Sequence, residues 1–265
     1  MTEKRQPRKS REDLRSLLLE AAQAILHEEG LGVGTDALTF KRVFDRVERD
    51  TGLRLTNASV IKRVWENQAD YQTDVLVDIA GDEGRQEMDQ TFDALSPVLG
   101  ALDLSTPEKR LAALREVCRI GGAANIQALR ESSNWALWIG VWALATAGEV
   151  TDQKRRIQGA LLDGYETVTE LYEEVYSALV ALLGLRLRPG MILRHFTIAT
   201  GALAEGCTLR NRVDAAMEGI VLPTGPDGET QEWTLFAVGL EALATRFFEP
   251  DPQWTPDRDG GAASP

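Results

Sequence analysis

The sequence predicts an all-α protein in which a short N-terminal helical domain precedes a longer helical domain. Apolar residues recur at spacings of three and four in almost every segment between glycine and proline breaks. No segment alternates apolar and polar residues over a length typical of a strand. The 265 residues are 43% hydrophobic and 26% charged, as in an ordinary globular protein with a sizeable core.

The first two helices have clear start and stop signals. A helix over 10–29 begins at Ser10, which forms a capping-box spacing with Asp13, and ends before a glycine. A second helix begins near Thr39, a good N-cap residue, and ends at Gly52. Each helix carries one apolar face, so the two are expected to share a core.

A third helix follows after a short turn. It begins near Asn57, with Val60, Val64 and Trp65 pointing inward, and a fourth helix covers 69–80. Longer helices are predicted over 86–100, 107–130, 133–148, 151–183, 190–214 and 229–248. These segments define an N-terminal domain over 1–80, a helical domain over 81–249 and a disordered tail over 250–265.

Charge is distributed unevenly along the chain. Residues 1–76 hold 13 basic and 13 acidic residues, so residues 77–265 carry the whole net charge of -12. Five basic residues against one acidic residue form an arm ahead of the first helix, and they are Lys4, Arg5, Arg8, Lys9 and Arg11. The arm is either a solvated tail or a nucleic-acid contact, and the acidic remainder argues against binding nucleic acid over the whole surface.

Several classes of protein are disfavoured. The chain has no export signal and no apolar run long enough for a membrane helix, so we expect a cytoplasmic protein without a membrane partner. Cys118 and Cys207 are expected to be buried thiols, and two histidines are too few for a histidine-rich metal site. No nucleophile, phosphate-loop or dinucleotide motif is present, so we expect neither an enzyme nor a bound cofactor.

Three short helices with a tight turn between the second and third are typical of a helix-turn-helix, whose third helix lies in the major groove of DNA. Polar and cationic residues lie where such a module meets DNA: on the third helix, at the start of the second helix, in the turn and on the arm. The candidate DNA-binding residues are Arg8, Lys9, Thr39, Lys41, Arg42, Arg54, Thr56, Asn57, Ser59, Lys62 and Arg63. For Asn57 and Ser59, helix capping is an equally good interpretation.

Residues 10–80 resemble the N-terminal domain of tetracycline-repressor (TetR) family transcriptional regulators. The segment 18–30 reads LLEAAQAILHEEG, from Leu18 to Gly30. It is similar to the first helix of the family and to the glycine that closes that helix. Thr39 matches the threonine that opens the second helix, and Gly52-Leu53 matches the Gly-Val that closes it. The stretch from Thr39 to Gly52 is about three residues longer than the family pattern.

The third helix departs from the family pattern Tyr-x-x-Phe-x-x-Lys-x-x-Leu. Trp65 and Tyr71 keep bulky side chains at the apolar positions, whereas Lys62 replaces the tyrosine and Gln68 replaces the lysine. The resemblance implies a homodimeric regulator, most simply a repressor, that a small effector releases from a palindromic DNA operator. An all-helical ligand-binding or interaction protein that has lost DNA binding is the alternative.

The long C-terminal domain is expected to hold the effector site and the dimer interface. Candidate residues for a largely apolar effector are Trp135, Trp138, Trp142, Tyr165, Tyr172, His195 and Phe196. Candidate dimer residues on two apolar helices are Phe196, Leu203, Phe236, Leu240, Leu243 and Phe247. Packing within the core of a single chain is the alternative interpretation of both sets.

Overall fold

The structure is a computed structural model, and it describes residues 10–31, 34–56, 60, 63–81, 84–214, 218–225 and 229–255. The described part of the chain is mostly helical, which confirms the predicted all-α class in its coarse form. None of the described helices combines the length and the apolar character that crossing a membrane requires.

The helices lie close to the predicted segments. They are α1 (Arg11–Glu29), α2 (Phe40–Thr51), α3 (Gln68–Ala80), α4 (Arg85–Leu99), α5 (Pro107–Glu131), α6 (Ser133–Thr146), α7 (Asp152–Leu182), α8 (Leu193–Asn211) and α9 (Leu235–Phe247). The predicted signals explain their ends: the backbone N–H of Asp13 donates to Ser10 Oγ at 3.0 Å, and the N–H of Ser10 donates back to the Asp13 carboxylate. Gly52 ends α2 with a φ of 71°, a left-handed conformation that favours glycine.

Short strands occur where the sequence predicted none. They are β1 (Leu185–Leu187), β2 (Glu218–Leu222), β3 (Gln231–Thr234) and β4 (Phe248–Pro250). Strand β1 pairs antiparallel with β4, and β2 pairs antiparallel with β3. The helix predicted over 229–248 begins later than expected, because strand β3 occupies its first residues. Helix α9 begins at Leu235, with Thr234 as its N-cap. Strands of three to five residues are too short to show the alternation by which a strand is recognised.

The chain divides into two compact units. Unit 1 consists of residues 1–83 and 133–165, and unit 2 consists of residues 84–132 and 166–265. In unit 1, helices α1, α2, α3 and α6 and the first part of α7 enclose one apolar core. The sequence predicted a contiguous N-terminal domain over 1–80. The compact unit that contains those residues also includes residues 133–165.

In unit 2, helices α4, α5, α8 and α9 and the second part of α7 enclose a second core. The C-terminal end of the described chain packs on this unit. The N–H of Asp251 donates to the carbonyl oxygen of Gly184 at 2.9 Å, and the Arg110 guanidinium lies 5.0 Å from the centre of the Trp254 ring. The predicted disordered tail over 250–265 therefore starts within a strand and a packed segment, and residues 256–265 lie outside the described residues.

Candidate nucleic-acid interface and ligand cavity

The start of α2 carries three of the predicted DNA-binding residues. The hydroxyl of Thr39 accepts the N–H of Arg42 at 3.3 Å, so this hydroxyl caps the helix. Lys41 is exposed, and the half-exposed guanidinium of Arg42 forms an ion pair with Glu29. Cationic side chains thus stand at the end of α2 where free N–H groups also favour an anion.

The turn after α2 presents a second group of predicted residues. The side chain of Arg54 is 84% exposed, and its Nε lies 2.9 Å from a carboxylate oxygen of Glu48. Thr56 is also exposed. An exposed ion pair of this kind contributes little to stability, so Arg54 is able to exchange its partner for another anion at small cost.

The segment after the turn is fixed in the core of unit 1. Val60 and Val64 are buried, and the N–H of Val64 donates to the carbonyl oxygen of Val60 at 2.9 Å, so these two residues close a turn. Arg63 lies in this turn and is half-buried. The predicted contacts Arg8, Lys9, Asn57, Ser59 and Lys62 lie outside the described residues.

A carboxylate that sequence reasoning did not single out holds this segment in place. Asp74 on α3 accepts a hydrogen bond from Trp65 Nε1 at 2.9 Å and another from Arg15 Nε at 2.8 Å. This contact with Asp74 raises the pKa of the Arg15 guanidinium above its ordinary value. Asp74 therefore joins α1 and α3 to the residue that follows the turn at Val60–Val64. No periodicity in the sequence indicates a side-chain bridge of this kind.

A polar cleft of about 590 Å³ adjoins the same segment. Three arginines line it, Arg11, Arg63 and Arg156, together with carboxylates that include Asp70. Arg156 Nη1 lies 3.0 Å from Asp70 Oδ1, so at least one of these cations is paired within the unit. The cleft therefore carries charges of both signs.

Unit 2 contains a cavity of about 80 Å³ with apolar walls. Helices α4, α5, α7, α8 and α9 contribute to the lining. It consists of Met88, Thr91, Phe92, Leu95, Leu114, Val117, Cys118, Gly121, Asn125, Tyr172, Val175, Tyr176, Leu179, Val180, Leu183, Phe196, Phe236, Leu240, Ala244 and Phe248. None of these described lining residues is an Asp, Glu, Lys, Arg or His.

The ionisable groups in the wall are kept neutral. Burial raises the pKa of the Cys118 thiol, and the nearby carboxylate of Glu241 raises it further. Burial also raises the pKa of the Tyr172 and Tyr176 hydroxyls. Cys118 and Cys207 are buried free thiols, as the sequence predicted.

Two of the seven predicted effector residues line this cavity, Tyr172 and Phe196. The tryptophans of α6 lie in unit 1, where the rings of Trp138 and Tyr165 meet edge-on at 5.1 Å. Trp135 is half-buried, Trp142 is 43% exposed, and His195 points to the outside of α8. Core packing is thus the better interpretation of Trp138, and the other walls of the cavity come from residues that the sequence analysis did not select.

The predicted dimer residues are largely internal. Phe196, Phe236 and Leu240 are buried and line the cavity, which leaves them no surface for a second chain. Half-buried members of the set also pack against the core of unit 2, and these are Leu203, Leu243 and Phe247. The exposed face of α8 carries other apolar residues, Ile198 and Leu209, which are 53% and 49% exposed.

Comparisons with protein-family models, with curated proteins and with solved structures give no significant match to this chain.

Proposed function

We propose that the chain is a homodimeric DNA-binding transcriptional regulator, a repressor that leaves a palindromic operator when a small molecule binds. The observation that carries the proposal is the surface around α2. Exposed cations flank this helix at both ends, at Lys41 and Arg42 and again at Arg54. The segment after the turn is held in the same core by the buried side chains of Val60 and Val64, which would fix a reading helix in place.

The apolar cavity of unit 2 supports the effector part of the proposal. Ligand sites are mostly apolar with a few placed polar groups, and this cavity has that composition. An effector lowers DNA affinity only by binding more tightly to the form that does not fit the operator. A two-fold dimer would place its two reading helices about 34–36 Å apart, one turn of the duplex.

The first experiment selects DNA from a pool of random-sequence duplexes with the full chain. We expect enrichment of a two-fold symmetric site. Affinity for that site is then measured by mobility shift across salt concentrations. A regulator that neutralises about six phosphates should lose about a thousandfold in affinity between about 50 and 200 mM salt.

Two variants distinguish the loss of a proposed DNA contact from the loss of one positive charge elsewhere on the protein. Arg54→Ala should weaken binding and reduce the salt slope by about one, because one phosphate contact is lost. Arg186→Ala is the matched control, since Arg186 is also an exposed, ion-paired arginine, with Nη2 2.8 Å from Glu249, but belongs to unit 2. An equal effect of both variants, or the enrichment of no site, would count against the proposal.

A ligand-binding protein that does not bind DNA is the second candidate. The carboxylates next to the proposed contacts favour it, since Glu29 pairs with Arg42 and Glu48 pairs with Arg54. On this alternative the selection enriches no duplex, while ligand binding in unit 2 remains measurable.

A further inference from the structure

The cavity of unit 2 is lined along more than one turn of several helices. Its lining runs along α5 from Leu114 to Asn125, a distance of about 16 Å at 1.5 Å per residue. It runs along α7 from Tyr172 to Val180, about 12 Å by the same measure. The free volume of about 80 Å³ is smaller than the engineered cavity of about 150 Å³ that holds benzene. A slim chain suits this space better than a fused ring system.

Three polar side chains of the cavity, those of Thr91, Asn125 and Tyr172, lie together. Asn125 Nδ2 donates to Tyr172 Oη at 3.3 Å and to Thr91 Oγ1 at 3.5 Å, and both bonds are long. The Thr91 hydroxyl donates its own hydrogen bond to the carbonyl oxygen of Glu87 at 2.9 Å. Within the part of the chain that the structure describes, Tyr172 Oη donates no hydrogen bond and Asn125 Oδ1 accepts none. Besides burial, which is the larger cause, the nearby buried carboxylate of Glu87 raises the pKa of the Tyr172 hydroxyl.

The walls exclude a charged ligand. Moving an ion out of water into an apolar site without a partner is expensive, and the described lining residues offer no opposite charge. The buried carboxylate of Glu87 is not part of the lining but acts on Tyr172, so it further disfavours an anion. A neutral oxygen needs only one or two hydrogen bonds. The Tyr172 hydroxyl is able to donate one, and Asn125 Oδ1 is able to accept one.

We infer that this cavity binds a neutral, slim apolar molecule with a single hydrogen-bonding group, such as an alcohol, an aldehyde or an ester. The Tyr172 hydroxyl donates to the oxygen of the ligand, and Asn125 Oδ1 accepts a ligand proton where there is one. The alkyl part lies between α5 and α7, against Val117 and Leu179. The inference rests on the proposed function only for the effect of the ligand on DNA, because binding itself needs no DNA.

The test compares three probes that differ only in their head group: n-hexanol, hexanoate and hexylamine. Each is titrated into the full chain at neutral pH and followed by NMR chemical shifts. We expect saturable binding of n-hexanol, with at least tenfold weaker binding of hexanoate and of hexylamine. Hexanoate or hexylamine binding as tightly as n-hexanol would overturn the requirement for a neutral ligand, and no saturable binding of n-hexanol would overturn the site.

Two conservative variants locate the head group. Tyr172→Phe removes the donor and should weaken n-hexanol binding by roughly threefold to tenfold, the value of one neutral hydrogen bond. Tyr176→Phe is the matched control, because Tyr176 lines the same cavity and has no bond to Asn125. Equal effects of the two variants would contradict the assignment of Tyr172, once circular dichroism shows that both retain the helical fold.

The failure of this inference is separable from failure of the proposed function. If the chain selects no DNA but binds n-hexanol with the expected preference, the regulator proposal fails and the site stands. If it selects a symmetric operator but binds none of the three probes, the site fails and DNA binding stands.

Discussion

A methyl group added at Gly164 tests the packing of α7 in unit 1. Gly164 is buried on α7, and an ideal Cβ at this position lies 2.8 Å from the carbonyl oxygen of Ala80 at the end of α3. A backbone oxygen cannot rotate away as the tip of a side chain does, so Gly164→Ala must push the two helices apart. Overpacking of this kind costs about 1–3 kcal/mol.

The same helix supplies a matched control. A Cβ at Gly159 meets no heavy atom within 4 Å. Gly159→Ala should therefore stabilise the protein by about 1 kcal/mol through helix propensity alone. Because Gly164→Ala gains the same propensity, the difference between the two variants isolates the contact with Ala80, and we expect that difference to be about 1–3 kcal/mol.

The assay must report on unit 1, since two compact units need not unfold together. Amide hydrogen exchange in the last turn of α3 gives that local reading, and urea unfolding of the full chain gives the free energy of unfolding. We expect faster exchange around Ala80 in Gly164→Ala and unchanged or slower exchange in Gly159→Ala. Equal stabilisation by both substitutions would show that 152–165 does not pack on α3, and the division of the chain into these units would be wrong.

Two further predictions concern charge and pH. Glu48→Gln should raise operator affinity by about twofold to fivefold, because it frees Arg54 and removes a negative charge from the interface. Glu249→Gln in unit 2 is the control. Fluorescence anisotropy with labelled operator measures the affinity of both variants. Burial raises the pKa of Tyr71 and Tyr176 in the folded chain, so their stabilisation is complete below the unfolded pKa of about 10 and is lost as the pH rises above it. Ultraviolet absorbance should show these two hydroxyls ionising only as the chain unfolds, and ionisation of the folded protein near pH 10 would contradict their burial.

The helices were predictable because their signals are local. The capping box at Ser10, the Thr39 cap and Gly52 each act within one turn, so the bounds of α1 and α2 follow from a few neighbouring residues. Strand β4 depends instead on its partner: Phe248 lies opposite Leu187, which is remote in sequence. The pairing of such short strands cannot be read from alternation, since they have almost none.

The candidate sites were less predictable, for a different physical reason. Helix α6 and the cavity-lining helices all carry apolar faces, and periodicity shows which face is buried but not whether a void lies beside it. The tryptophan stripe therefore suggested a pocket, whereas Trp138 packs against Tyr165 in unit 1. The polar part of the cavity depends on Asn125 and Tyr172, which lie on different helices and meet only when the fold is complete.

The formal neutrality of residues 1–76 also conceals how the charges are arranged. Arg42 and Arg54 each have a carboxylate partner, so a DNA phosphate must displace Glu29 and Glu48. Each carboxylate that is set free loses its partner and faces the DNA phosphates, so repulsion offsets part of the attraction that the arginine gains. If Arg54 is a phosphate contact, Glu48→Gln should raise affinity in the wild-type chain but not in Arg54→Ala. An equal rise in both backgrounds would assign the effect to long-range repulsion by Glu48.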